Sequence, residues 1–283
     1  MLTEVRTSGF TLRGVSLGGI YTSLHVPELD SLFDVGWPLR SAAAARHLFL
    51  SHGHVDHAGA LSTLLGARAL FGHPRPLRVF LPAEIAEPMT EVLAAQSKLQ
   101  RYELAVDLVP MRPGDEIALR GDLVVRAFRT YHPVPSLGYQ LVRRVAKLLP
   151  GLRGLSGREI AERRQRGEAV TRAFDRLELA YATDTLAVVL DREPEVLQSR
   201  VLVLECTFLD RRKPLADARA GCHIHLDELI ERAHLFRNEA VVLMHFSQLY
   251  RPVDVREILG RRLPQELRDR VIAFAPPTDD WPG

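Results

Sequence analysis

Three histidines and an aspartate crowd into six consecutive positions, in the run Ser51-His52-Gly53-His54-Val55-Asp56-His57. Imidazole and carboxylate are the common ligands of transition metals, and an ordinary loop has no reason to concentrate them. In extended chain, residues two apart point the same way. His52 and His54 are therefore expected to grip one ion, while Asp56 and His57, at the turn into a helix, face a second. Four protein ligands do not complete two sites, so others must arrive from strand ends elsewhere. His132 follows LVVRAFRTY, Asp184 follows LELAYAT and His245 follows AVVLM, each where an apolar run stops and a rigid strand can mount a functional group. Two ions held this way would activate water near neutral pH, which is hydrolase chemistry.

The elements that must position these residues come in two similar series. Short β-rich runs fill the first half (TLRGVSL, TSLHV, LFDVG, HLFLS, LRVFLP, VDLVP and LVVRAFR), with helical spacing over 58–71 and 85–102. The second half repeats the theme with strands at LGYQLV, LELAYATD, RVLVLECT and AVVLMHF, and helices over 227–236 and 253–262. Two sheets packed face to face with helices outside would bury both sets of apolar strands, so the expected architecture is α/β, a four-layer αβ/βα sandwich. No repeat, low-complexity tract or linker breaks the composition, and residues 1–283 read as a single domain. The tail PPTDDWPG reads as a mobile end or an arm over a neighbour.

No run of eighteen apolar residues and no signal-peptide pattern occurs, so the expectation is a soluble, cytoplasmic protein with no membrane partner. Cys206 and Cys222 are too few for a disulfide framework and read as small buried hydrophobes. A net charge of +2 excludes a general polyanion binder, but the charge is unevenly spread. Residues 143–172 carry nine Lys or Arg against three Glu, which reads either as a solvated helix face or as a basic, arm-like insertion that contacts phosphates.

The H-x-H-x-D-H run with a later His, Asp and His resembles the metallo-β-lactamase superfamily. Within it, the stretches His132-Pro133-Val134-Pro135-Ser136-Leu137-Gly138-Tyr139, Leu204-Glu205-Cys206-Thr207-Phe208, Gly221-Cys222-His223-Ile224-His225 and His245-Phe246-Ser247-Gln248-Leu249-Tyr250 resemble ribonuclease Z motifs in the family's order. Gly154-Leu155-Ser156-Gly157 and the His-Ile-His form resemble its short, plant-like branch, and the similarity runs over 14–274. Thr183 and Leu249 depart from the family's Gly and Arg, and the insertion is shorter than the arm of bacterial members.

The resemblance implies a metallo-β-lactamase fold and a homodimeric endonuclease that cuts the 3′ trailer from precursor tRNA. One ion would be held by His52, His54 and His132 and the other by Asp56, His57 and His245, with Asp184 bridging. Zinc suits this nitrogen-rich set, and manganese or iron is also admitted. His223, oriented by Glu205, would be the general acid, and Asp56 would orient the attacking water. Ser136 and Tyr139 would line the phosphate path, with core packing the other reading of a Tyr that enters a strand, and Arg163, Arg164 and Arg166 would hold the tRNA stem or elbow. A small-molecule phosphodiesterase, or a thioester or lactone hydrolase on the same metals, is the alternative. His25, His47, His73 and His234 read as structural or exposed, and His225, where the family often has Thr, reads either as a partner at the site or as a neighbouring polar residue.

Overall fold

The computed structural model describes residues 2–7, 9–73 and 75–282. Among these residues seven strands form one sheet in chain order: β1 (Thr3–Arg6), β2 (Thr11–Leu17), β3 (Tyr21–Val26), β4 (Ser31–Phe33), β5 (His47–Phe49), β6 (Leu77–Pro82) and β7 (Val106–Met111). Seven more form the second: β8 (Glu116–Arg120), β9 (Leu123–Arg129), β10 (Leu137–Leu148), β11 (Thr171–Ala182), β12 (Val201–Glu205), β13 (Ala240–Met244) and β14 (Val271–Ala273). In each sheet the first four strands pair antiparallel and the fourth onward pair parallel. The two series in the sequence are thus two sheets of like topology.

Period-two alternation decides what each face buries. On β5 and β6, Phe49 and Phe80 point between the sheets, where they meet Tyr139 and Tyr181 of the second sheet. Leu48, Val79 and Leu81 point outward. Helices α1 (Val55–Ala58), α2 (Leu61–Leu70) and α3 (Ala86–Gln100) follow β5 and β6, and Leu61, Leu64, Leu65 and Leu93 cover that outer face. In the second sheet Val201 and Val203 point inward while Leu202 and Leu204 point outward. Strands buried on both faces must be apolar throughout, which is why they read as continuous runs. The inner rings interlock, with centroids 4.9 Å apart for Phe49 and Phe80 and 5.3 Å for Phe49 and Tyr139. Each such side chain contributes about 1.5–3 kcal/mol through burial.

Beyond residue 143, β10 and β11 leave β9 behind and pair alone, from Arg144 opposite Asp175 to Leu148 opposite Thr171. At the tip of this ribbon sits α4 (Gly157–Gln165), started by a capping box in which the Ser156 N–H donates to Glu159 at 2.7 Å. The basic segment over 143–172 is this ribbon and its helix. Helices α5 (Val188–Arg192), α6 (Leu215–Ala220), α7 (Leu226–Glu231), α8 (Pro252–Arg262) and α9 (Gln265–Arg268) complete the chain. Val189, Leu229, Val255 and Leu267 from four of them cover the outer face of the second sheet.

One expectation needs correction. The tail folds back on its own chain: the Trp281 indole N–H donates to the Tyr250 carbonyl at 2.7 Å, and Tyr21 donates to the carbonyl of Pro282. The Trp281 ring lies 6.3 Å from that of Phe246 at a tilt of 33°, because an aromatic side chain finds more burial on the core than in water. The elements β1, β8, β14, α4, α5, α6 and α9, and the outer halves of β10 and β11, had no clear pattern in the sequence. Among the described residues no helix is long and apolar enough to cross a membrane.

Candidate metal centre

The site lies where strands end. His52 follows β5, Asp184 follows β11, Glu205 closes β12 and His245 follows β13, so parallel strands of both sheets deliver chemistry at their carboxyl ends. Asp34, Asp184 and His245 have φ of 52°, 48° and 61°, a left-handed conformation that non-glycine residues adopt at a cost of about 1–3 kcal/mol each. The surrounding contacts hold them there. Val35 donates its N–H to the His57 carbonyl at 2.6 Å, and a Cβ on Gly36 would stand 1.8 Å from the Asp56 carbonyl oxygen. Only glycine lets this loop press against α1.

The residues expected to hold metal converge in two groups. Donor atoms of His52, His54, His132 and Asp184 all lie within 4.8 Å of one another, as do those of Asp56, His57 and His245. Asp184 stands between them. Its Oδ2 is 3.9 Å from His52 Nε2, while its Oδ1 is 3.2 Å from His57 Nε2 and 3.3 Å from His245 Nε2. Ligand groups are therefore assembled from residues up to 193 positions apart, His52 to His245.

The hydrogen bonds behind the rings make them ligands rather than donors. Ser51 Oγ donates to Asp34 Oδ2 at 2.8 Å and so accepts from His52 Nδ1 at 2.9 Å. His57 Nδ1 donates to Asp34 Oδ2 at 2.8 Å. Thr207 Oγ1 donates to Glu205 at 2.6 Å and accepts from His245 Nδ1 at 3.1 Å. All three rings are held from the outer nitrogen, which turns Nε2 toward the centre. This is the arrangement that raises ligand basicity and fixes ring orientation at metal sites. His57 Nε2 and His245 Nε2 stand 3.3 Å apart, close enough to share one cation, a proton or a metal. The donor set fits a divalent metal.

Electrostatics agree. Burial, reinforced by the neighbouring His57 charge, pushes the His52 imidazolium down to about 2, so this ring stays neutral as a ligand must. Burial would raise the Asp184 carboxyl, but the charges of His245 and His57 outweigh it and hold it well below the usual carboxylate range. Burial would likewise lower the His57 imidazolium, yet the Asp184 and Asp34 carboxylates raise it well above its ordinary value. A field that favours a proton on a wholly buried ring favours a metal cation in the same place.

His223 stands beside both groups, its ring 5.4 Å from His245 and 5.8 Å from His132. Its donor atoms also lie within 4.8 Å of Asp184 and His245. Glu205 separates its role from theirs. Burial alone would push the His223 imidazolium down, but the Glu205 charge and a 3.0 Å hydrogen bond to Nδ1 raise it to about 9. Unlike the wholly buried His57 and His245, His223 stands at the partly exposed rim, where a proton on its free nitrogen can reach a bound substrate. The buried Glu205 is anchored by the N–H groups of Thr185 at 2.7 Å and Ile224 at 3.2 Å, besides Thr207 and His223.

Of the substrate contacts expected from sequence, Ser136 lines a cavity of about 410 Å³ that His132 also lines. Tyr139 does not take that role: it is wholly buried, and its hydroxyl donates to the carbonyls of Leu50 at 2.7 Å and Phe80 at 3.2 Å. Its hydroxyl ties the two sheets and leaves no face for substrate. Arg163, Arg164 and Arg166 sit in and just after α4 at the ribbon tip; Arg163 and Arg166 pair with Glu168, whereas Arg164 has no carboxylate partner among the described residues. His225 caps α7 through its Nδ1. Sequence reasoning missed Asp34, Ser51 and Thr207. Asp34 had one signal, since it too ends an apolar run, LFDVG. Thr183, a departure from the family, donates its hydroxyl to Asp184 Oδ1 at 2.9 Å.

Comparison with known proteins agrees with this architecture. Residues 26–246 match the family described as the Beta-lactamase superfamily domain. A tRNase Z of Arabidopsis thaliana, TRZ1, is 34% identical over 272 residues, covering 95% of this chain and 96% of that protein. Among solved structures, the metallo-β-lactamase fold protein YhfI of Bacillus subtilis superposes with a TM-score of 0.61 at 14% identity, covering 94% of each chain. The short form of human tRNase Z superposes with a TM-score of 0.57 at 17% identity, over 99% of this chain and 96% of that one. These two likenesses establish the metallo-β-lactamase fold, and the identity over nearly full length to the plant relative goes further: the chain belongs to the β-lactamase superfamily and, within it, to the tRNase Z family.

Proposed function

We infer that the protein is a metal-dependent phosphodiesterase that cuts the 3′ trailer from precursor tRNA. The observation that carries this reading is the Glu205–His223 pair set against two groups of metal-ligating side chains. A protonated imidazole beside a hydrolytic centre is what a poor leaving group such as a ribose 3′-oxygen requires. The full-length plant relative named tRNase Z supports RNA as substrate over a small ester.

His52, His54 and His132 would hold one divalent ion and Asp56, His57 and His245 the other, with Asp184 contributing one oxygen to each. Zinc suits this balance of nitrogen and carboxylate donors best. When bound, the ions supply a water acidic enough to attack near neutral pH and positive charge for the phosphoryl oxygens. The chain's residues do the rest. Asp56, at the mouth of its group, accepts from the incoming water and orients it. His223, held by Glu205 through Nδ1, gives the Nε2 proton to the departing 3′-oxygen, and the tRNA body leaves with a free hydroxyl. Ser136 flanks the entry, while Arg163, Arg164 and Arg166 on the ribbon tip contact phosphates away from the scissile bond. A homodimer in the cytoplasm accompanies this reading through the family resemblance, and light scattering on the purified protein tests the first.

The decisive experiment is incubation of purified protein with a precursor tRNA carrying a 3′ trailer, before and after metal removal. One cut yielding a 3′-hydroxyl body, abolished by a chelator and restored by zinc, is the expected result. Cleavage of bis-p-nitrophenyl phosphate with no cut in the RNA would overturn it.

A further inference from the structure

Beside the catalytic rim a cavity of about 810 Å³ opens between the loop after β12 and the end of α8. Five cations line it, Arg211, Arg212, Lys213, Arg261 and Arg262, against the carboxylates of Asp210 and Asp227. Both carboxylates are already engaged, Asp210 by Arg212 at 3.1 Å and Asp227 by Arg262. Arg211, Lys213 and Arg261 are left with no carboxylate partner among the described residues. Three uncompensated cations around one concavity repel each other and focus a positive potential there, which attracts anions.

The cavity is fastened to the catalytic acid. Lys213 Nζ lies 5.6 Å from the centre of the Phe208 ring, and the same ring lies 6.2 Å from that of His223. The backbone is zipped at this point: the Phe208 N–H donates to the Ile224 carbonyl at 3.2 Å, and the Leu226 N–H donates to the Phe208 carbonyl at 2.8 Å. The loop that carries Arg211 and Lys213 therefore keeps its distance from His223 as one rigid piece. A strand whose 3′-oxygen is protonated by His223 runs on past this wall.

We propose that this cavity takes backbone phosphate of the RNA on the leaving-group side of the scissile bond, through Arg211, Lys213 and Arg261. The inference rests on the RNA reading above and adds a subsite to it. A free polyphosphate offers the same chemistry, so the test separates the two sources. In a combined Arg211→Gln, Lys213→Gln, Arg261→Gln protein, two changes fall on exposed side chains and one on the half-buried Lys213, and metal content and thermal melting report whether the fold is kept.

The expected result with precursor tRNA is a KM raised about tenfold to a hundredfold with kcat little changed. The slope of log Kobs against log salt should become shallower by about 2 to 3, close to one for each phosphate that is no longer neutralised. Arg211→Gln alone should remove about 1 and covers the case of a misfolded triple variant. A wild-type slope and KM in a folded variant would overturn the proposal. So would tripolyphosphate that binds the wild type by calorimetry and not the variant while RNA binding stays the same, since the cavity then serves a free phosphate compound. Failure of the wild-type protein to cut precursor tRNA would strike the function itself; a variant that cuts as well as wild type strikes only this subsite.

Discussion

Asp34 Oδ2 lies 2.8 Å from His57 Nδ1, with neither side chain exposed to solvent. The same carboxylate accepts from the Ser51 N–H at 2.7 Å, the Ser51 hydroxyl at 2.8 Å and the Tyr181 hydroxyl at 2.6 Å. Through His57 directly, and through Ser51 to His52, one buried acid orients a ring in each ligand group. Asp34→Asn keeps the shape but offers an amide N–H where an acceptor is needed. Metal affinity measured by competition with a chelating dye should fall about 10- to 100-fold, the usual cost of losing such a partner. Wild-type affinity for both ions would show that the rings orient themselves.

Asp184 faces both ligand groups, so its loss should be felt by both. If each ligand group holds one ion, Asp184→Ala is expected to lower the metal content at both and to abolish turnover, as read by elemental analysis beside the RNA assay. A fully active wild-type enzyme with one equivalent of metal would contradict the two-ion arrangement. Retained turnover in the variant would contradict the place given to Asp184.

The Glu205–His223 pair makes a prediction in pH. The folded value is raised, from 6.5 to about 9, so the pair's stabilisation is fully present below 6.5 and is lost as pH rises through about 9. In the metal-free protein, NMR titration should place the His223 imidazole near that upper value. Glu205→Gln should bring it down, because burial then acts without its counter-charge. His223→Ala should keep its metals yet lose roughly 10²–10⁴-fold in turnover on RNA. Its loss on a p-nitrophenyl ester should be smaller, since that leaving group departs unprotonated. Equal losses on both substrates would assign His223 to the fold or the metals.

How much of this was legible depended on distance along the chain. His52, His54, Asp56 and His57 announce themselves because four ligand types stand within six positions. The doubly buried strands were legible for a related reason, their unbroken apolar runs. Asp34 meets His57 across 23 positions and Tyr181 across 147, and no local pattern records such a meeting. Tyr139 stayed open between substrate path and core because a tyrosine next to a ligand motif looks the same whether its hydroxyl meets substrate or two backbone carbonyls. The outer ribbon was invisible as strand: with water on both faces, residues 143–148 and 171–176 need no apolar alternation, and their register is fixed by hairpin pairing and ion pairs instead.

That ribbon carries the final prediction, because the structure divides its basic residues into two kinds. Arg143 is tied to the buried Glu178 at 3.1 Å and to Asp122 at 2.8 Å, and Arg144 pairs with Glu116, so both serve the ribbon's base. Arg163, Arg164 and Arg166 stand at the tip with only Glu168 to share between two of them. Replacing the three tip arginines with serine should weaken precursor tRNA binding and make its salt dependence shallower by about 2 to 3, while a small phosphodiester, too short to reach the tip, is still hydrolysed. Replacing Arg143 and Arg144 should lower thermal stability, since the first leaves part of a buried carboxylate without its partner, and should change the salt slope less. Binding titrations at several salt concentrations, run on both variants beside melting curves, give the comparison. If the tip variant keeps both the affinity and the slope of the wild type, α4 is a solvated face with no part in holding RNA, and the phosphate contacts must be sought nearer the metal ligands.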